Sequence, residues 1–367
     1  MSTNTDILRP CMEDLYKDQL QALAAVDQDP RPENWQLSPS AVRDFILGRK
    51  DPVEQDGARI EITRKFFGDD ALVERAVVAL ASDRALMLIG EPGTAKSYLS
   101  ELLSAAICGN SRNTIQGSVG LTEDMIKYSW NYALLIAKGP VPEALVPSPL
   151  YIGMKQGIIT RFEEITRAPL EIQDSLISVL SDKILSIPEL SEQPFLAAKR
   201  GFNVIATANT RDQGVNEMSS ALKRRFNFET VQPLSSIKQE MQVIINECSK
   251  LCGDLAPQLI KEDVVELLAT VFSDLRKGKS VEGGSFDRPS SVMSTAEAVQ
   301  VYYQTAMDAH YYNHDELRMA TLVQNIKAAI TKDKPSDLKL FKNYVKVVSR
   351  SRDSELFQDF SQQVNRC

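Results

Sequence analysis

Ala85-Leu86-Met87-Leu88-Ile89-Gly90-Glu91-Pro92-Gly93-Thr94-Ala95-Lys96-Ser97-Tyr98 reads as a strand, a tight turn and the start of a helix. Ala85 to Ile89 is a short apolar run of buried-strand type. Beyond the turn, Leu99, Leu102, Leu103, Ala106 and Ile107 recur at helical spacing, and Gly109 supplies a stop. This order is the context a phosphate-binding loop requires. Backbone N–H groups of the turn and of the first helical residues can wrap an anion. Lys96 can neutralise the outer phosphates, and the Ser97 hydroxyl can ligate Mg²⁺. The expected nucleotide contacts are Gly90, Glu91, Pro92, Gly93, Thr94, Ala95, Lys96, Ser97 and Tyr98. Ala95 stands where the usual pattern has its second glycine. Because that position opens the helix, its methyl group is expected not to clash. The bland alternative is an ordinary Gly-Pro turn, and Lys-Ser at the helix start argues against it.

With 367 residues the chain has room for two domains and an extension. A hydrophobic fraction of 43% and a charged fraction of 25% are ordinary for a soluble globular protein. A net charge of −7 disfavours duplex binding over the whole surface, although a local basic patch could still exist. Cys11, Cys108, Cys248, Cys252 and Cys367 show no paired spacing, and reduced thiols are the simplest account. Cys248 and Cys252 share a helix face without a second ligand pair, so a structural role is expected. No basic-then-apolar leader and no membrane-length apolar run is seen, which points to a cytoplasmic protein with no membrane segment.

Residues 1–58 read as a helical extension, with Met12, Leu15, Tyr16, Gln19, Leu20 and Leu23 on one face and Ser38-Pro39 capping a second helix. A further helix is expected to bury Leu72, Val73, Ala76, Val77 and Leu80. Thr114 to Gly117 reads as a strand end. Residues 130–150, with Gly139-Pro140, Pro142, Pro147 and Pro149, read as loop-rich and able to hold a surface insertion.

Gly157-Ile158-Ile159-Thr160-Arg161-Phe162-Glu163-Glu164 is the second informative stretch, an apolar strand ending in two carboxylates. In a nucleotide hydrolase the first holds the Mg²⁺ water shell and the second polarises the attacking water. Alone such an ending is a common solvated strand end; together with the phosphate loop it is specific. Arg161 is unusual in a buried strand, and is expected at an exposed strand end or beside an acid. Further along come a helix after Pro169, a hairpin over 183–200, and a strand Phe202 to Asn209 whose terminal Asn would face a ligand crevice. Lys223-Arg224-Arg225 by itself is a solvated helix end. His310 and His314, one turn apart, are expected on a surface helix face. They are the chain's two histidines, so histidine-based catalysis elsewhere is excluded.

Taken together, Gly90–Ser97, Gln116 to Asp124, Gly157–Pro169, Ala206–Asn209 and Arg225-Phe226 resemble the MoxR family of AAA+ ATPases. The resemblance runs from about Ile60 to about Gln300. It implies an α/β fold: an αβα core with a parallel sheet over 59–234, then a small helical lid with C-terminal helices over 235–367. Carried over, Lys96 and Ser97 bind phosphate and Mg²⁺. Glu163 stands where the family usually has Asp, and Glu164 aligns with the water-activating Glu. Asn209 aligns with the sensor-1 residue, and Arg225 with the arginine finger that enters a neighbouring subunit. Arg288, in Ser285-Phe286-Asp287-Arg288-Pro289, looks like the sensor-2 arginine at the start of a lid helix. Ser236 to Gln239 resembles a capping box opening the lid. The resemblance also implies ATP as cofactor, a homo-oligomeric ring (a hexamer), and a partner bearing a von Willebrand factor A domain. A helix insertion within 117–135 and the hairpin at 183–200 are candidate surfaces for a protein client.

The leading expectation is a Mg²⁺-dependent ATPase acting as a chaperone-like remodeller of protein assemblies. A nucleotide-gated scaffold with little turnover is the first alternative, favoured by Glu163 in place of Asp. A restriction-type or nucleic-acid NTPase motor is the second; the acidic composition and lack of a basic, aromatic-studded stretch count against it. Outer-sphere contacts tolerate a longer side chain, so Glu163→Asp is expected to leave nucleotide affinity nearly unchanged.

Overall fold

The computed structural model describes residues 8–55, 57–210 and 217–366. These divide into two compact units, with the boundary after Val231 and the short segment Pro92–Thr94 grouped with the second. The first is built on β1 (Ala85–Gly90), β2 (Thr114–Gln116), β3 (Ile159–Glu163), β4 (Asn203–Asn209) and β5 (Phe226–Val231). They form a sheet in the order β5-β1-β4-β3-β2, and every pairing is parallel. Alternate side chains of β1 serve opposite faces, as a period of two requires. Leu86 and Leu88 enter one apolar cluster, while Ala85 and Met87 enter another. The central strands β1 and β4 are mainly apolar and buried because both faces of the sheet are covered there, the condition for a parallel sheet.

In chain order the larger helices of this unit are α1 (Lys17–Val26), α2 (Pro39–Leu47), α3 (Asp70–Leu80), α4 (Lys96–Cys108), α5 (Tyr132–Lys138), α6 (Pro149–Gln156) and α7 (Leu176–Asp182). α3 starts at Asp69, whose side chain accepts from the Ala71 N–H, and buries Leu72, Val73, Ala76, Val77 and Leu80 as its spacing predicts. α2 is capped by Ser38 with Pro39 at its first position. α4 ends at Gly109 in the left-handed conformation (φ 65°). Met12, Tyr16, Leu23, Val42, Phe45 and Ile46 share one cluster with Leu103 and Ile107, so the N-terminal segment packs into the same core as the sheet.

Several expectations need correction. The N-terminal segment also contains a small hairpin, Val53–Gln55 against Ala58–Ile60, and Leu15 is exposed because the helix breaks at Tyr16. Residues 130–150 are ordered: Tyr128–Trp130 pairs antiparallel with Leu145–Pro147, and α5 lies between them. The prolines misled because they occupy positions that need no N–H. Pro142 opens a 3₁₀ turn, Pro149 is the first residue of α6 after the Ser148 cap, and Pro147 ends a strand. The hairpin at 183–200 is present as Ile184–Ser186 against Phe195–Ala197.

The second unit is helical: α8 (Ile237–Cys252), α9 (Glu262–Lys277), α10 (Thr295–Tyr312), α11 (Met319–Thr331), α12 (Leu338–Val348) and α13 (Glu355–Arg366). Its core gathers Ile244, Cys248, Leu268, Phe272, Tyr302 and Tyr344, among others. Burial raises the Cys248 thiol to about 12, which suits an inert core residue. Ser236 caps α8 through the Gln239 N–H, but the reciprocal capping box is at α10, between Ser294 and Glu297. α10 ends at Tyr312, so His314 lies beyond it and the two histidines do not share a helix face. Among the described residues no helix is long and apolar enough to cross a membrane.

Candidate nucleotide site

Because the five strands are parallel, their carboxyl ends meet at one edge of the sheet. Asn209 is level with Gly90, and Gln116 with Glu163. Ligands bind outside such an edge in α/β folds. β1 runs into the turn 91–95, and α4 begins at Lys96. Lys96 is buried, and its Nζ donates to the carbonyls of Gly90 (3.1 Å) and Glu91 (2.7 Å). Ala95 adopts φ 67°, ψ 24°. The departure from glycine therefore carries backbone strain, about 1 kcal/mol for an L-residue in this region.

The acidic strand end is more elaborate than the sequence suggests. Glu163 is 6% exposed. Its Oε2 accepts from Ser97 Oγ (2.6 Å) and Thr207 Oγ1 (2.7 Å). Its Oε1 accepts from Arg161 Nη2 (2.6 Å) and Ser100 Oγ (2.7 Å). Burial works to raise the Glu163 pKa, but the Arg161 charge and the hydroxyl donors outweigh it and hold it below the usual carboxylate range. Arg161 is itself buried, and so sits beside an acid, not at an exposed end. Its Nε donates to Ser100 Oγ (2.9 Å) and its Nη1 to the Ser111 carbonyl (2.6 Å).

Glu164 leaves the strand in a left-handed conformation, φ 51° and ψ 46°. Its N–H donates to Thr207 Oγ1 (2.9 Å), and its carboxylate pairs with Arg167 (2.8 Å) and is partly open to solvent. Gly117 lies tight against this turn. Its N–H donates to the Glu163 carbonyl (2.7 Å), and a Cβ there would stand 2.1 Å from the Glu164 oxygen.

Lys96, Ser97, Glu163, Glu164 and Asn209 are thus assembled at one edge from separate segments. Arg225 is not. Phe226 is level with Ala85 and Val231 with Gly90, so Arg225 lies at the opposite edge, roughly 17 Å along the strand from the loop. Its Nε donates to Ser181 Oγ (2.9 Å) and its Nη1 to the Ala221 carbonyl (2.8 Å). Arg288 belongs to the second unit and lies in a segment without regular structure well before Ser294 caps α10, not at a helix start. Its Nε donates to the Lys277 carbonyl (3.1 Å); the Pro289 that suggested a helix start instead follows it in the same irregular stretch.

Sequence reasoning passed over Ser100, Thr207 and Gly117, and left the partner of Arg161 unnamed. Simple spacing could have found three of these. Arg161 and Glu163 are two apart on a strand, as are Thr207 and Asn209, and Ser100 lies one helical turn beyond Ser97. The oxygen-rich donor set fits a small hard cation such as Mg²⁺. Ser97 gives its proton to Glu163, which leaves the hydroxyl lone pairs for a metal.

Residues 85–226 match a family described as AAA domain (dynein-related subfamily), and residues 238–362 match the YehL-like AAA+ ATPase C-terminal domain. The uncharacterized protein YehL of Escherichia coli (strain K12) is 48% identical over 343 residues, 93% of this chain and 92% of that one. Chaperone MoxR1 of Mycobacterium tuberculosis is 28% identical over 204 residues, 51% of this chain and 46% of that one. Among solved structures, NtrX from Brucella abortus in complex with ADP superposes with a TM-score of 0.49 at 11% identity, over 82% of this chain and 66% of that one. That last likeness is too slight to bear on function. With an α/β core built on a parallel sheet, a phosphate-type loop on it and a YehL-like region after it, the chain belongs to the YehL-like, MoxR-type AAA+ ATPases.

Proposed function

We propose that this protein binds ATP with Mg²⁺, hydrolyses it, and uses the cycle as a chaperone-like remodeller of protein assemblies. The observation that carries the reading is the convergence of Lys96, Ser97, Glu163, Glu164 and Asn209 at one sheet edge. In this reading Lys96 exchanges its loop carbonyls for the outer phosphates. Mg²⁺, held at Ser97 beside Glu163, would neutralise phosphate charge. Glu164 takes the proton of the attacking water, and must leave Arg167 to do so. Asn209 orients that water. Residues 59–234 form the catalytic core in this reading, with 235–367 as lid and Arg288 its nucleotide sensor.

The protein would work in the cytoplasm as a homo-oligomeric ring of six, with Arg225 reaching a neighbour's phosphates from the far edge of the sheet. A partner with a von Willebrand factor A domain and a protein client complete the proposal. Support comes from the family and from the name of its relative, Chaperone MoxR1. α5, which buries none of its residues and leaves Tyr132 and Ile136 exposed, is the proposed client-facing helix.

One observation favours the scaffold alternative. Glu163 is already held by four donors, about as many as a carboxylate has lone-pair sites. Calorimetry with ATP and steady-state phosphate release separate the readings. A Lys96→Ala variant that binds ATP like the parent would remove the site from Lys96. A parent that binds tightly but releases no phosphate would be a scaffold.

A further inference from the structure

We propose that Arg161 is a positioning residue of the nucleotide–Mg²⁺ site: it takes one oxygen of Glu163 so that the other is presented to Ser97. The inference rests on the nucleotide-site reading above and concerns how the acid at the end of β3 is aimed.

The geometry carries it. Arg161 and Glu163 are two residues apart on β3, so both side chains rise from the same face of the strand, toward the start of α4. The guanidinium is fixed at three points besides Glu163. Nη1 meets the Ser111 carbonyl at 2.6 Å, Nε meets Ser100 at 2.9 Å, and Nη2 lies 3.4 Å from Glu101. Arg161 is therefore a rigid post, and a planar fork anchored this way loses little freedom on binding a carboxylate. With Oε1 taken by the post, Oε2 alone is left for the hydroxyls of Ser97 and Thr207. Thr207 in turn receives the Glu164 N–H, so the same pair also fixes where the next carboxylate leaves the strand.

This arrangement explains the longer acid. An aspartate would end about 1.5 Å nearer the backbone, one carbon–carbon bond short, and could not span from the Arg161 post to Ser97. It would keep one partner and lose the other. Losing Arg161 leaves that buried guanidinium with only its longer 3.4 Å contact to Glu101 for charge; losing Ser97 leaves the hydroxyl unaimed. Weakening a buried pair from one side is the damaging change, because the remaining charge is then poorly compensated. Glu163→Asp is thus not the mild change that outer-sphere tolerance alone suggests.

The test uses the full chain with ADP as the probe, titrated by calorimetry in excess Mg²⁺ and again in excess EDTA. The proteins are the parent, Arg161→Lys, Arg161→Met, Glu163→Asp and the double variant Arg161→Met/Glu163→Asp. The parent is expected to bind ADP more tightly with Mg²⁺. Arg161→Met and Glu163→Asp should each weaken binding at least about tenfold with Mg²⁺, but by less than about threefold in EDTA. Arg161→Lys keeps the charge without the fork and should recover part of the loss. The double variant should be no worse than the poorer single, since both remove one pairing.

Circular dichroism establishes that each variant is folded. An Arg161→Met protein that is folded and keeps the parental gain from Mg²⁺ overturns the inference, as do losses that multiply in the double variant. Should Arg161→Met not fold, Glu163→Asp and Arg161→Lys decide: parental Mg²⁺ gain in both overturns it. A parent with equal affinity in the two arms overturns it as well. A parent that binds no ADP at all sinks the nucleotide-site reading together with the inference, whereas binding that Lys96→Ala abolishes and Arg161 does not affect sinks the inference alone.

Discussion

Ala95 is the residue where backbone strain meets the phosphate turn. At φ 67° it holds a conformation that glycine adopts without penalty, at the point where the phosphate turn enters α4. Ala95→Gly is expected to raise stability by about 1 kcal/mol, read as a higher denaturant midpoint at unchanged slope. A lower midpoint would show that the methyl group makes a packing contribution larger than the strain. Glu164 also stands at positive φ, and its turn holds the carboxylate clear of the buried pair that secures Glu163. Glu164→Gln is expected to keep ATP affinity within about threefold while lowering phosphate release at least about a hundredfold, since an amide is a poor proton acceptor. If Glu163→Gln loses turnover and Glu164→Gln does not, the two roles are exchanged.

At the scale of elements, the site depends on how closely β2 approaches the turn that follows β3. Gly117 sits directly after β2 and binds the Glu163 carbonyl, with no room for a Cβ against Glu164. The atoms that a Cβ would meet are backbone atoms of Glu163 and Glu164, which cannot rotate away. Gly117→Ala is therefore expected to lower stability by about 1–3 kcal/mol, the range typical of overpacking, and to displace the Glu164 turn. Thermal unfolding and phosphate release measured together check this. An unchanged midpoint with unchanged turnover would mean that the turn yields without consequence. α4 works in the opposite sense: Leu99, Leu102, Leu103 and Ile107 are fully buried, so Lys96, Ser97 and Ser100 are presented from a helix that has little freedom to move.

At the scale of the whole molecule, the separation of Arg225 from the carboxyl edge of its own sheet has a direct consequence. A side chain at the amino end of β5 cannot serve a phosphate bound beyond the carboxyl end of β1 of its own chain. If the ring proposal holds, Arg225→Ala and Glu164→Gln proteins, each inactive alone, should regain phosphate release when mixed. Mixed assemblies contain interfaces that join an intact Glu164 to a neighbour's intact Arg225. Mixing over a range of ratios, with co-assembly verified by light scattering and affinity capture, makes the measurement. Absence of recovery at every ratio would count against action between subunits. Arg224, exposed beside the anchored Arg225, is the natural second position to vary in the same experiment.

The local pattern of the chain determined much of this. A strand, a Gly-rich turn and a helix are each specified by short-range spacing, so β1, the turn and α4 were legible from Ala85 to Gly109. The same holds for α3, for the hairpin before β4, and for the acidic end of β3, because periodicity and capping act over a few residues. Tertiary structure alone decided what lies across from these elements. Strand order brings Gly90, Gln116, Glu163 and Asn209 to one edge and leaves Arg225 at the other, and no local spacing encodes that order. It also decided the ordered insertion around α5, where prolines that read as loop signals occupy positions needing no N–H. Above all it decided the fate of Arg161. A charge in an apolar strand is tolerable only beside a compensating group, and burial converts that requirement into a fixed pairing with Glu163.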